Sequence, residues 1–353
     1  MTVIEILDRQ LNTISKIFTA YEISWKYELN KSGSASFSMR LVDSKATPTI
    51  LKFGNRVRIW KDGTKKWIGF IDSFDISEND IKINCFGMLE LFKRRLYNGA
   101  ISGAVGITTH TLLIYTNSIE NTFINFGTEY VTDTIDMTFE NTPILDAWTK
   151  MIKAVNCEME IDLDFYMNVM QQIGSDKSSQ VIFRYDEEQV ELTNIYKLSS
   201  TIDGSQLVNS VSSKADIYTS IKQDASSIAD YGLWQSFKNF SETSQQVTLD
   251  NETQNEVDQN KLPVNAPKIT PNPLKIDTSL YDIGDTVRVV LRKGQILNID
   301  SNFRIISKEI KITTSGFEDV NLTLSEETRN LGYDFFKDYG DIKNRLSLLE
   351  RII

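Results

Sequence analysis

The sequence predicts a β-rich α+β protein with two small, similar β-barrel domains, an inserted α+β module and a short C-terminal helix. Three observations lead to this. The first hundred residues hold a series of short alternating segments separated by tight turns. Residues 142–164 then switch from helical to strand periodicity. Finally, Phe53-Gly54-Asn55-Arg56-Val57-Arg58-Ile59 returns late in the chain as Ile283-Gly284-Asp285-Thr286-Val287-Arg288-Val289. Self-similarity of this kind marks a repeated structural unit.

The first barrel is expected over residues 1–100. Residues 21–29 are rich in aromatic and β-branched side chains. In residues 35–41, Ala35, Phe37, Met39 and Leu41 alternate with Ser36, Ser38 and Arg40, which predicts a half-buried strand. Val57 and Ile59 lead into Asp62-Gly63, a dipeptide suited to a hairpin turn with positive φ at both positions, and residues 67–71 return. Two more strands flank Glu78-Asn79-Asp80.

The inserted module is expected over residues 101–240. Residues 108–120 read as a helix. Thr142 followed by Pro143 reads as a helix start, with a capping hydroxyl and then a proline whose missing N–H costs nothing there. Ile144, Trp148, Met151, Ile152 and Val155 form one face of that helix. Residues 157–164 alternate strictly, with Cys157, Met159, Ile161 and Leu163 inward and Glu158, Glu160, Asp162 and Asp164 outward. Residues 164–166 turn into a second strand over 167–170. Residues 241–275 carry Pro263, Pro267, Pro271 and Pro273 and read as a connecting segment over the surface, with a polar helix at 241–246. The second barrel is expected over 276–330, with contributions from 196–240. In it Gly284, Val287 and Arg288 match Gly54, Val57 and Arg58. The helix over 331–353 places Ile342, Leu346, Leu349 and Ile353 at seam spacing, a candidate trimer contact.

Composition narrows the function classes. A formal net charge of −10 provides no global attraction for phosphate backbones. No apolar stretch approaches the length of a membrane span, and the N-terminus lacks the order of a signal peptide. Lys93-Arg94-Arg95 reads as a solvated helix end. Cys85 and Cys157 read as small core residues, because two distant cysteines make neither a zinc motif nor a disulfide framework. His110 is the only histidine, and no nucleophile motif flanks it. Gly99, Gly103 and Gly106 read as a flexible inter-domain loop without a P-loop lysine. The four carboxylates from Glu158 to Asp164 lie about 6.6 Å apart along a strand face, too far for one cation cage, and read as a solvated face. No cofactor, metal site or catalytic residue is expected, and the chain is read as a non-enzyme.

The order of these features resembles the baseplate-hub or tail-tip hub proteins of long-tailed bacteriophages, including the N-terminal structural part of tail-associated lysins. Residues 4–17 resemble the family's opening strand and turn. Trp67-Ile68-Gly69-Phe70-Ile71 looks like its aromatic-x-Gly-x-Ile strand, and residues 91–95 look like its exit helix. Val208-Asn209-Ser210-Val211, Tyr231-Gly232, Gly284-Asp285-Thr286-Val287 and Phe303-Arg304-Ile305 fall where such proteins have similar elements. Gly54, Val57, Arg58, Trp67, Gly69, Gly284, Asp285, Val287 and Arg304 are thus the structural signature carried by the resemblance.

The resemblance implies a homotrimer whose two barrels per subunit build a pseudo-sixfold ring around the DNA exit channel at the virion's tail tip, synthesised in the host cytoplasm. The implied partners are a distal tail ring or tube protein, tail fibre or tip components and the tape measure protein. DNA would pass without specific binding, along a bore expected to carry more Asp and Glu than Lys and Arg. Two alternatives are a tail-associated peptidoglycan hydrolase and the hub of a phage-like contractile injection machine. The first is disfavoured because members with that activity carry it in a C-terminal extension, which this sequence lacks. An adhesin is disfavoured because Trp25, Trp60, Trp67 and Trp148 sit in element-like patterns.

Overall fold

The structure, a computed structural model, describes residues 1–295, 297–313 and 315–326. The expected C-terminal helix and its trimer-contact residues Ile342, Leu346, Leu349 and Ile353 lie outside the described residues.

The chain opens with β1 (Thr2–Leu7), β2 (Thr13–Ile17), β3 (Tyr21–Glu28), β4 (Ser34–Arg40), β5 (Arg56–Lys61), β6 (Thr64–Ile76) and β7 (Asp80–Gly87), followed by a 3-10 helix over Met88–Arg94. As the sequence predicts, Asp62 and Gly63 turn the β5–β6 hairpin with φ of 50° and 78°. Ala35, Phe37 and Met39 are buried, whereas Leu41 lies beyond the strand end and is exposed. The interior module holds β8 (Leu96–Ala104), α1 (Val105–Ile119), β9 (Asn125–Glu129), β10 (Thr134–Pro143), α2 (Ile144–Ala154), β11 (Glu158–Ile161) and β12 (Tyr166–Met170). Its core is separate and centres on Trp148, which packs on Phe92 of the 3-10 helix at 4.4 Å.

Then come β13 (Ile182–Asp186) and β14 (Ile195–Asp203), and a second small unit of β15 (Ser210–Ala215), β16 (Tyr218–Gln223), α3 (Ala225–Tyr231), β17 (Gln235–Asn239) and α4 (Gln246–Asn260). The chain ends its described part with β18 (Val264–Pro271), β19 (Thr286–Lys293), β20 (Leu297–Ile312) and β21 (Glu318–Glu326).

Thirteen of these strands form one sheet, in the order β14-β18-β21-β20-β3-β4-β7-β6-β5-β1-β2, with β19 on β20 and β13 on β19. The two β units, expected as separate barrels, are therefore hydrogen-bonded to each other and share one apolar core. The cause is the length of β20. Its first half pairs β19, and its second half runs past β19 and offers that edge to β3.

Other expectations change for local reasons. Residues 246–271 are not a surface connection: they form α4 and β18, a strand lying between β14 and β21. Pro267 and Pro271 disguise it; the registered pairs to β21, Lys268 with Thr323 and Ile269 with Leu322, fall between them. The polar helix expected at 241–246 begins only at Gln246. Gly99 and Gly103 belong to β8 and Gly106 to α1, with φ of 155° and 131° at the first two, so this stretch is paired strand and helix start instead of loop. Helix α2 begins one residue later than expected; Pro143 occupies the cap and Thr142 remains in β10. Among the described residues no helix is long and apolar enough to cross a membrane.

Candidate functional site: a repeated turn and the clamp on its second copy

The sequence echo corresponds to a repeated backbone construction. Gly54 and Gly284 have φ of 80° and 81°, a left-handed conformation that glycine adopts without Cβ strain. The Gly54 amide donates to the Ile71 carbonyl at 3.0 Å, and the Gly284 amide to the Ile305 carbonyl at 2.8 Å. Ile71 and Ile305 return the bond, donating to the carbonyls of Asn55 and Asp285 at 3.0 and 2.9 Å. Val57 and Val287 are both fully buried. Farther along, β6 is bulged between Ile71 and Ser73 and β20 between Ile305 and Ser307, each opposite its last strand. The order β3-β4-β7-β6-β5 is matched by β14-β18-β21-β20-β19. The halves differ at the next strand, since β1 is antiparallel to β5 and β13 is parallel to β19.

Side chains at the two turns differ more. In the first unit, buried Arg56 donates to the Gly54 carbonyl at 2.8 Å. Burial, and then the positive charge of Arg9, lower its pKa to about 10. In the second unit position 286 is a threonine, and the arginine stands across the ladder at Arg304, where the first unit has Phe70. Arg304 reaches the equivalent carbonyl, Gly284 O, through Nε at 3.2 Å and Nη2 at 3.1 Å. It also donates to the Ile173 carbonyl at 2.9 Å and forks onto Glu158, with Nη2 at 3.0 Å from Oε2 and Nη1 on Oε1. Both side chains are almost wholly buried. Glu158 Oε2 also accepts from the Ile173 amide at 2.7 Å.

The segment leaving β12 is thereby clamped to the second turn. A Cβ on Gly174 would lie 2.4 Å from the Gly284 carbonyl carbon, so the two backbones touch only because residue 174 is glycine. Asp285 accepts from the Ser175 amide at 2.9 Å and pairs with Lys177 Nζ at 2.7 Å. In the first unit Asn55 instead donates to the carbonyls of Thr49 and Ile50.

The expected row of four solvated carboxylates is accordingly broken up. Glu158 is the buried arginine partner. Glu160 is half-buried, and burial followed by the charge of Asp162 raises its pKa. Asp162 has left the strand and accepts from the amides of Asp164 and Tyr166, each at 2.9 Å. Asp164 is exposed and pairs with Lys65. Among the described residues no group of His, Cys, Asp and Glu gathers as a metal set. His110 stacks on Phe126 at 4.2 Å. Cys85 and Cys157 are buried and form no disulfide; burial pushes both thiols up, Cys157 to about 12.

Of the remaining signature residues, Trp67 folds its ring over Gly69, where a Cβ would lie 2.1 Å from that ring. Arg58 and Arg288 occupy matching positions but differ in partners: Arg58 lies near Glu5 and over Phe165, while Arg288 is held by both oxygens of Asp300 at 2.8 and 2.9 Å. The structure thus brings Gly284, Asp285 and Arg304 together and leaves Gly54, Val57, Arg58, Trp67 and Gly69 at the other turn. The sequence marks Glu158 only as one of a row of solvated carboxylates and Arg56 only as the first arginine of the echoed motif, and nothing in it points to Gly174 or Lys177.

Opposite the shared core, the sheet presents a polar face. Ser24, Lys26, Ser36, Lys82, Asn84, Ser73 and Asp75 lie on it in the first unit, and Ser307, Glu309, Lys311, Asn321, Thr323 and Lys268 in the second. Lys26 pairs with Glu28 at 2.9 Å and Lys311 with Glu309 at 3.1 Å. An apolar exposed patch lies elsewhere, on the unit inserted between β14 and β18. There Trp234 is exposed and donates its indole N–H to the Tyr231 carbonyl at 2.9 Å, and Tyr231, Leu233 and Phe237 are exposed as well.

No family model matches the chain, and neither does any curated protein sequence. Solved structures do match. A 43 kDa tail protein of prophage MuSo2 from Shewanella oneidensis aligns over 92% of this chain and 98% of its own, at 12% identity and a TM-score of 0.65. The tail protein from Neisseria meningitidis MC58 aligns over 92% and 96%, at 12% identity and a TM-score of 0.64. This chain has the fold of phage tail proteins. The same fold extends to the Escherichia coli c3393 protein, a type VI secretion component described as structurally similar to the T4 tail proteins gp27 and gp5. That match covers 93% of this chain and 76% of the other, at 8% identity and a TM-score of 0.52. The resemblance to tail-hub proteins read from the sequence thus agrees with the tail-protein structures that this β-rich fold matches.

Proposed function

We propose that the chain is a structural hub subunit of a phage tail tip or baseplate, three copies of which close a pseudo-sixfold ring that continues the tail tube around the DNA exit channel. The observation that carries this reading is the repeat itself. Two five-stranded units with the same turn, bulge and strand order give each subunit two near-equivalent positions, so three subunits supply six. Likeness to phage tail proteins over nearly the whole chain supports it.

In this reading the polar sheet face lines the bore. It is mixed in sign, with Lys26, Lys82, Lys268 and Lys311 interleaved with Glu28, Asp75 and Glu309, and it is rich in hydroxyls. The side chains named here are four lysines against three acids, so this face by itself carries no acidic excess of the kind expected from composition. The consequence for DNA is similar, because interleaved acids deny phosphates a continuous cationic track. Partners are other copies of the chain, the adjacent tail ring or tube protein, tip or fibre components and the tape measure protein. The subunit acts by shape and assembly, without catalysis, in the virion tail.

A second reading, the hub of a phage-like contractile injection machine, is favoured by the match to the type VI secretion component. Multi-angle light scattering of the purified chain, alone and with its tube protein, tests the ring. We expect a trimer mass. A monomer that persists at high micromolar concentration in both samples overturns the reading.

A further inference from the structure

The chain contains one finished example of the contact between its two β units, and it leaves both components of a second example open. In the finished contact, the second half of β20 pairs antiparallel with β3: Ser307 with Glu28, Lys308 with Tyr27, Glu309 with Lys26, Ile310 with Trp25 and Lys311 with Ser24. The counterpart of β20 is β6, and the shared bulge makes Ser73-Phe74-Asp75-Ile76 equivalent to Ser307-Lys308-Glu309-Ile310. Residues 73–76 of β6 pair with β7 on one side; on the other, among the described residues, no strand is paired with them.

The counterpart of β3 is β14, at the far end of the sheet with only β18 beside it. Lys268 pairs with Ser199 and with Thr323, as Ser36 pairs with Ser24 and with Asn84. Ser199, Ser200, Thr201, Ile202 and Asp203 are therefore equivalent to Ser24, Trp25, Lys26, Tyr27 and Glu28. Chemical likeness persists along both strands: Ser73, Asp75 and Ile76 match Ser307, Glu309 and Ile310, and Ser199 and Asp203 match Ser24 and Glu28. Exposure separates the finished contact from the open one. Ile310 is 5% exposed, whereas its equivalent Ile76 is 69% exposed, and Ile202 is 58% exposed. Phe53, itself exposed, stacks on Phe74 at 4.9 Å and widens the apolar strip.

We propose that these open edges pair between two copies of the chain: residues 73–76 of β6 in one copy join β14 of the next, in the register of the internal contact. Ser73 then faces Asp203, Phe74 faces Ile202, Asp75 faces Thr201 and Ile76 faces Ser200. Unpaired strand edges invite such addition, and here the internal contact specifies which edge and which register. The contact is heterologous, with different surfaces meeting head to tail; with three copies related by a threefold rotation it closes into the ring, whereas a rotation that does not close would run on as a filament. The proposal rests on the ring reading and adds its seam.

Cysteine pairing on the full chain tests it. Directly opposed residues of an antiparallel pair have Cα atoms about 4.5–5.5 Å apart, within disulfide range. Phe74→Cys with Ile202→Cys should oxidise to intersubunit disulfides that end in a closed covalent trimer. Phe74→Cys with Thr201→Cys, which points the second thiol to the other sheet face, should give at least about tenfold less. Cys85 and Cys157 are buried, which keeps the background low. Thr201 and Ile202 are exposed and Phe74 is half-buried at the edge of the core, and light scattering before oxidation reports folding and assembly independently. A trimer without disulfides from the first pair, or with equal yield from both pairs, overturns the seam and leaves the ring. Monomers without disulfides at every concentration, with the tube protein present, overturn both.

Discussion

The two β units hold the same backbone turn by different means. In the first, Arg56 is buried beneath Gly54 and is covered by the Phe70 ring, 6.0 Å from its guanidinium. In the second, the arginine has moved across the ladder to Arg304 and has acquired a carboxylate, Glu158, from the inserted module. Both arginines donate to the carbonyl of the turn glycine. What the repeat retains is the position of a cation over one carbonyl. The residue that supplies it, and what else that residue ties down, have diverged. The first unit uses the turn only for itself; the second uses it to anchor a module 146 residues earlier in the chain.

The sharpest way to break this comparison is at the carboxylate. Glu158→Ala leaves Arg304 buried without its counter-charge, and it should cost about 3–5 kcal/mol in urea unfolding. Adding Arg304→Met should recover most of that loss, because the first unit manages with Phe70 at the same position. A double variant as unstable as the single one would show that the fork is not what holds the module.

The glycines come next. Gly54→Ala meets nothing within 4 Å and should cost only the strain of a left-handed alanine, about 1–2 kcal/mol. Gly284→Ala places its Cβ 2.5 Å from the Ile173 carbonyl oxygen and should cost about 1–3 kcal/mol more. Equal losses would mean that the clamp yields freely.

The smallest effect belongs to the unit inserted between β14 and β18, which has no counterpart in the first half. Burial raises the carboxyl of Glu252 to about 7, against an ordinary value of 4.5, with Thr243 donating to it and partly opposing the rise. A carboxyl raised by folding stabilises the fold fully below its unfolded pKa and loses that contribution as pH climbs through about 7. Melting temperature should therefore fall by a few degrees between pH 5 and pH 8, and Glu252→Gln should flatten the fall. An unchanged slope in the variant would assign the dependence to other groups.

What the sequence made legible follows from how locally each feature is determined. A turn that requires positive φ leaves a glycine in place, so Gly54 and Gly284 could be matched directly, and Asp62-Gly63 announced its hairpin. Strand β18 was hidden because Pro267 and Pro271 argue against a central strand and only the register shows how it tolerates them. Strand β13 was absorbed into the inserted module because its partner, β19, is about a hundred residues away and parallel. Glu158 looked solvated because it opens an alternation of acidic and apolar residues. Its burial depends on Arg304, and nothing near Glu158 in the sequence points there.

The junction of β20 with β3 also sets a timetable for synthesis. Strand β3 leaves the ribosome among the first residues, and the strand that covers its edge is among the last described. The cost of closing so long a loop grows only slowly with its length, so the finished contact bears little penalty for it. Waiting is the greater burden, since at about 5–20 residues per second the edge stays bare for about 15–55 seconds. Throughout that interval the nascent first unit displays an uncovered edge that another nascent copy could pair with. The polysome is therefore where this chain is most exposed to misassembly, and slow translation of its second half would lengthen the risk.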